Sequence, residues 1–151
     1  MSDNKIEWKH GLLMAFCLIC YFLGMKWAGF FERMELRIFN FIIHLIYVLK
    51  AVREYRKKYP EHFNYFNGFI VGILTTAIGV LCFAFFLFIY FNLQPDDMSQ
   101  LREKASHGSY LTPLSLSIII VMEGLGTGIV ISYIVMRYVG RLKKRKVLVT
   151  K

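Results

Sequence analysis

The sequence predicts an all-α, polytopic membrane protein that crosses the bilayer four times and keeps both termini in the cytoplasm. Three observations carry this reading. Hydrophobic residues make up 56% of the 151 positions and aromatics 17%, more apolar surface than one soluble domain of this length can bury. The apolar residues fall in four long runs and not in alternation with polar ones. The 19 basic residues are spread unevenly among the segments between those runs. The same composition excludes a disordered chain, which is poor in aromatics and hydrophobes. Three cysteines cannot form a fully paired disulfide framework.

A helix needs roughly 20 mostly apolar residues to cross a hydrocarbon layer of about 30 Å. The first run, Gly11–Phe31, is broken only by Lys26. Its basic lead, Lys5 and Lys9, resembles a signal peptide, but Met25-Lys26-Trp27-Ala28 offers no small-x-small cleavage site, so the helix is expected to be retained. The second run, Leu36–Val52, is the weakest. Ile38–Leu49, between Arg37 and Lys50, gives only about 18 Å of helix. It spans if Arg37 and Lys50 extend their charges outward along their alkyl stems. The third run, Tyr65–Phe91, has no charged residue, and the fourth, Leu114–Tyr138, has Glu123 alone until Arg137.

Helices are required because lipid offers the backbone no hydrogen-bond partner, and Ile78–Tyr90 lacks the alternation of a barrel strand. Between the third and fourth runs, Pro95 and Asp96-Asp97 form a good helix start, since proline tolerates the first turn and acids suit its positive end. A short surface helix is expected there, with Met98, Leu101 and Ala105 on one face. Two adjacent carboxylates on a helix diverge, which argues against a divalent cation site. No metal and no cofactor are expected.

With four spans, the N-terminus, second loop and C-terminal segment share one side and collect 14 of the Lys and Arg residues, against 5 on the other. Basic residues favour the cytoplasm, so this side is predicted to be internal and the tail 139–151 to be a basic cytoplasmic segment. Trp8, Trp27, Tyr65, Tyr90, Tyr110 and Tyr138 lie near run ends, where amphipathic rings prefer to sit. The cluster Arg141–Lys146 is read as a topology signal that also attracts anionic headgroups, not as a nucleic-acid site.

Arg53-Glu54-Tyr55-Arg56 leads through Phe63-Asn64-Tyr65-Phe66-Asn67-Gly68 into Gly72, and the long third run ends in Asn92-Leu93-Gln94-Pro95-Asp96-Asp97. This pattern resembles the small bacterial membrane proteins grouped as domain of unknown function family 4199. The resemblance implies a single four-helix unit over nearly the whole chain and an inner-membrane location. It brings no catalytic residues.

Ionisable residues at membrane depth are functional candidates by default. Glu123 and His44 fall at similar depths, with Asn40 one turn from His44, Thr127 one turn from Glu123, and Tyr21 at a comparable level. They are read first as interhelical hydrogen-bonding groups and second as a proton or cation relay. Gly124 and Gly128, and Gly68, Gly72 and Thr76, form small-xxx-small stripes that let the third and fourth helices, or two protomers, pack closely. Cys17 and Cys20 lie within an apolar helix and are read as small hydrophobes. No nucleophile elbow, zincin pattern or Walker loop occurs. The expectation is a non-enzymatic accessory subunit or homo-oligomer held by the glycine faces of the third and fourth helices, the alternative a small proton- or cation-coupled transporter or channel using Glu123, His44 and Thr127.

Overall fold

In a computed structural model of the protein, which describes residues 5–29, 37–104 and 111–149, every regular element is helical. The order is α1 (Lys5–Trp27), α2 (Arg37–Lys58), α3 (Tyr65–Leu93), α4 (Pro95–Lys104) and α5 (Pro113–Val149). Among the described residues, α1, α3 and the Pro113–Gly140 part of α5 are long and apolar enough to cross a membrane. Helix α2 is long enough, about 33 Å for its 22 residues, but its charged ends leave it short of the apolar content of the other three.

Local chemistry sets the boundaries, and several differ from expectation. Helix α1 stops at Trp27, not at Phe31, because Gly29 takes a left-handed conformation with φ 73°, which reverses the chain at little steric cost. It also starts six residues before Gly11. Glu7 in its first turn suits the positive helix end, and Lys9 and His10 bind Glu54. Helix α2 continues past Val52 because Tyr55 is buried and the Arg56 guanidinium donates to the Val139 carbonyl at 3.3 Å. The Asn64 side chain caps α3 by accepting from the Asn67 amide at 3.0 Å. A reciprocal Thr112–Ser115 capping box opens α5, followed by Pro113 in the first turn. Helix α5 then runs through the segment expected to be a separate tail, as far as Val149. Helix α4 begins at Pro95 as the Pro-Asp-Asp pattern predicts. Its Met98 and Leu101 pack inward, whereas Ala105 and Tyr110 lie outside the described residues.

Helix α3 is the centre of the bundle and touches α1, α2, α4 and α5. Two apolar clusters fill the two ends. One joins Ile6, Val48, Val52, Tyr55, Val71 and Val135 near the ends rich in basic residues. The other joins Met14, Leu18, Phe83, Leu87, Phe91 and Met98 beneath α4. Between them lies a belt of small and polar buried residues that includes His44, Thr75, Thr76 and Ser132.

Helix α2 runs antiparallel along the length of α1. Glu54, near the end of α2, meets Lys9 and His10 near the start of α1. Tyr47 meets Cys17 at 2.9 Å midway, and Phe39, near the start of α2, packs on Tyr21 with ring centroids 5.9 Å apart.

Candidate functional site

The seam between α3 and α5 is built from the glycines read in the sequence. A Cβ at Gly68 would meet Met136, one at Gly72 would meet Ser132 and Val48, one at Gly124 would meet Val80, and one at Gly128 would meet Thr76. The contacts advance by four residues on α3 as they retreat by four on α5. They are the rungs of one antiparallel ladder, with glycine on α3 in two rungs and on α5 in the other two. Where each side lacks a side chain the other supplies one, so the axes approach closely and dispersion replaces the hydrophobic drive that lipid does not provide.

A second stripe, not singled out from the sequence, serves α1. Gly11 lies against Ile78 and the Thr75 carbonyl, and Gly79 against Met14 and the Gly11 carbonyl. Thr75 and Gly79 have the four-residue spacing of the first stripe, so the pattern was present but overlapped it. Small residues on two faces let α3 serve as the central post.

The polar candidates separate. His44 is buried, its ring is hydrogen-bonded to the backbone of Asn40 one turn earlier, and its Nε2 has no hydrogen-bond partner. Glu123 lies on the exposed side of α5. The structure therefore brings His44 and Asn40 together but does not join His44 to Glu123 through that free nitrogen. Thr127 is half-buried beside Gly128, and Tyr21 is half-buried on Phe39.

Two charged clasps close the ends of the bundle. At the basic end, Glu54 Oε2 lies 2.7 Å from His10 Nε2 and 3.2 Å from Lys9 Nζ. The hydrogen bond from His10, then that from Lys9, holds the Glu54 carboxyl below the usual carboxylate range. At the other end, Asp97 Oδ2 lies 2.6 Å from Lys26 Nζ and accepts a hydrogen bond from the Tyr90 hydroxyl, to which Lys26 also donates. This joins α1, α3 and α4. Hydropathy counts Lys26 as a loop charge and reads Asp97 as a helix-start residue; the signal that links them is a lone lysine near the end of the first apolar run and an acid following the third.

The Lys26 hydrogen bond, then that of Tyr90, holds the Asp97 carboxyl below its ordinary value. A carboxyl depressed in the folded state stabilises fully above its unfolded value of about 3.9 and loses that contribution as pH falls through the lower folded value. Helix α4 is therefore expected to stay clasped at neutral pH and to loosen on acidification below about pH 4. Asp97→Asn should raise hydrogen exchange of the α4 amides at neutral pH. Unchanged exchange would show that Met98 and Leu101 alone hold α4.

A groove of about 660 Å³ lies between α3 and α5 on the outside of the bundle, walled by Leu81, Phe85, Phe88, Leu114, Ile118 and Met122 among others. No group of three His, Cys, Asp or Glu residues suited to a metal ion occurs among the described residues.

An all-helical bundle with three helices long and apolar enough to span a bilayer defines an α-helical membrane protein. The chain matches the family described as Protein of unknown function (DUF4199) over residues 9–139, most of its length, and it belongs to that family. Comparison with curated proteins and with solved structures finds no match.

Proposed function

We propose that the protein is a four-span inner-membrane bundle with both termini in the cytoplasm, and that it works by association, as a homo-oligomer or as an accessory subunit of another membrane protein, and not by catalysis. The fourth span is α2, supported by the run of contacts from Glu54–His10 to Tyr21–Phe39 that carries it antiparallel along the length of α1. Basic residues on α2 and the start of α1 then face anionic headgroups on the cytoplasmic side.

The observation that carries the association reading is the contrast between interior and exterior. The glycine faces of α3 and α5 are filled by side chains of the same chain, so a partner does not use them. On the outside lies a hydrocarbon-walled groove between α3 and α5, which suits a helix or acyl chain better than a polar substrate. Co-purification in mild detergent, with subunit stoichiometry measured in nanodiscs, tests this. The expected result is a defined oligomer or one recurring membrane partner, weakened by Phe85→Ser in the groove; a partnerless monomer would count against it.

The proton- or cation-coupled reading draws on one observation, the unpartnered Nε2 of buried His44. It expects an ion flux in proteoliposomes that Glu123→Gln abolishes while assembly stays normal.

A further inference from the structure

Two arginines in the last two turns of α2 reach sideways onto the end of the fourth apolar run. Arg53 and Arg56, three residues apart, share a helix face. The Arg53 guanidinium lies over the Tyr138 ring, 5.7 Å from its centroid. The Arg56 guanidinium lies 5.9 Å from the Phe63 ring centroid and donates through one nitrogen to the Val139 carbonyl at 3.3 Å. Tyr138 and Val139 are neighbours on α5, so both cations are brought to one spot, where that helix passes from apolar to basic sequence. Cations suit the negative end of α2, which accounts for their presence there but not for their convergence on α5.

Like charges on one helix face repel, and among the described residues neither arginine pairs with a carboxylate. Glu54, which lies between them in sequence, is turned to Lys9 and His10. Lys57 and Arg137, adjacent to Arg56 and Tyr138, are exposed. The sequence beyond Gly140 holds six Lys and Arg residues and no acid, so it brings no counter-ion of its own.

We propose that Arg53 and Arg56 form a binding site for the phosphate of an anionic phospholipid headgroup, with Tyr138 and Phe63 as the rings that hold the guanidiniums in place. A guanidinium whose face rests on an aromatic ring keeps its N–H edge free, and that edge matches two phosphate oxygens. Arg53 is exposed and presents this edge outward; Arg56 keeps the donors not spent on Val139. The level of the site selects a lipid over a soluble anion. Tyr138 lies near the end of the stretch of α5 long and apolar enough to span, and amphipathic rings of this kind sit at headgroup depth. Exposed Ile134 and Val130 continue the Tyr138 face one and two turns further into the apolar stretch, a path along which acyl chains lie. The proposal does not rest on the association reading, nor on which side of the membrane this end faces. It needs only that the ends of α2 and α5 meet, as Arg53 and Tyr138 do.

Titration of phosphatidylglycerol into the full chain in non-ionic detergent, read by native mass spectrometry, tests it. The wild type should hold phosphatidylglycerol in preference to phosphatidylcholine, whose own cation offsets its phosphate. Diffuse attraction depends on charge alone, whereas this site depends on the planar fork. Arg53→Lys combined with Arg56→Lys keeps both charges and should weaken binding by about tenfold, the loss of roughly one charge-assisted hydrogen bond. Arg53→Lys alone, at an exposed position, should weaken it in the same direction without moving the unfolding temperature. Unchanged binding in both variants would mean diffuse attraction only, and equal retention of the two lipids by the wild type would mean no site; either overturns the proposal. Displacement of the lipid by inorganic phosphate would overturn it too, because the site would then take a soluble anion.

Discussion

Gly128→Leu is expected to take the bundle apart. A Cβ at this position already falls 2.8 Å from both the Cβ and the Oγ1 of Thr76, before the rest of a leucine is added. Thr76 is fully buried and cannot swing away. The axes of α3 and α5 must therefore separate, which breaks the neighbouring Gly124–Val80 and Gly72–Ser132 rungs at the same time. Overpacking a tight core commonly costs about 1–3 kcal/mol, and a helix seam with no room to relax belongs at or above the upper figure. The comparison is Gly126→Leu, two residues away, where an added Cβ meets nothing within 4 Å and stability should change by less than about 0.5 kcal/mol. Thermal unfolding in detergent would separate the two. Equal tolerance of both would show that α3 and α5 do not meet along this ladder.

Phe22→Ala is expected to cause the second large loss, at the opposite end. The Phe22 ring meets Phe83, Phe86, Tyr90 and Phe91 at centroid distances of 6.4, 6.2, 5.2 and 6.3 Å, all edge-to-face. In a soluble core a phenylalanine truncation costs about 3–5 kcal/mol, part of it transfer from water. In lipid that transfer part vanishes, and the lost dispersion and ring–ring contacts remain, so about 2 kcal/mol is expected. Because Phe22 lies one turn before Lys26, the variant should also loosen the Asp97 clasp and raise exchange in α4. A stability loss confined to α1 would contradict this coupling.

How much of this was legible in the sequence differs between elements. Helix α3 was readable because its run is uncharged; its start at Tyr65 agrees with the sequence, and its end at Leu93 lies two residues past the Phe91 expected, at the Gln94 cap. The start of α4 was readable because Pro95 and the acids act locally. The glycine stripes were readable as a close contact of the third and fourth apolar runs or of two protomers, and the structure uses them within the chain, between α3 and α5; Thr75–Gly79 was hidden beside Gly72–Thr76. The end of α1 turned on the left-handed Gly29, one glycine among 11. Glu7, His10 and Lys26 were passed over for a single physical reason. Hydropathy assigns charged residues to the water outside, whereas these are held by partners or burial that come from other helices. Glu123, the most conspicuous acid in the apolar runs, faces outward instead.

The orientation and number of spans rest on α2, the helix whose composition is least like a membrane segment. Side-selective thiol labelling tests it most directly, with Cys17, Cys20 and Cys82 replaced by alanine and single cysteines placed at Lys5, Lys57 and Gln100, all exposed. Four spans predict that the Lys5 and Lys57 positions react from the cytoplasmic side and Gln100 from the other. Reaction of Lys57→Cys from the side opposite Lys5→Cys would mean that α2 does not cross, and the four-span bundle would be wrong.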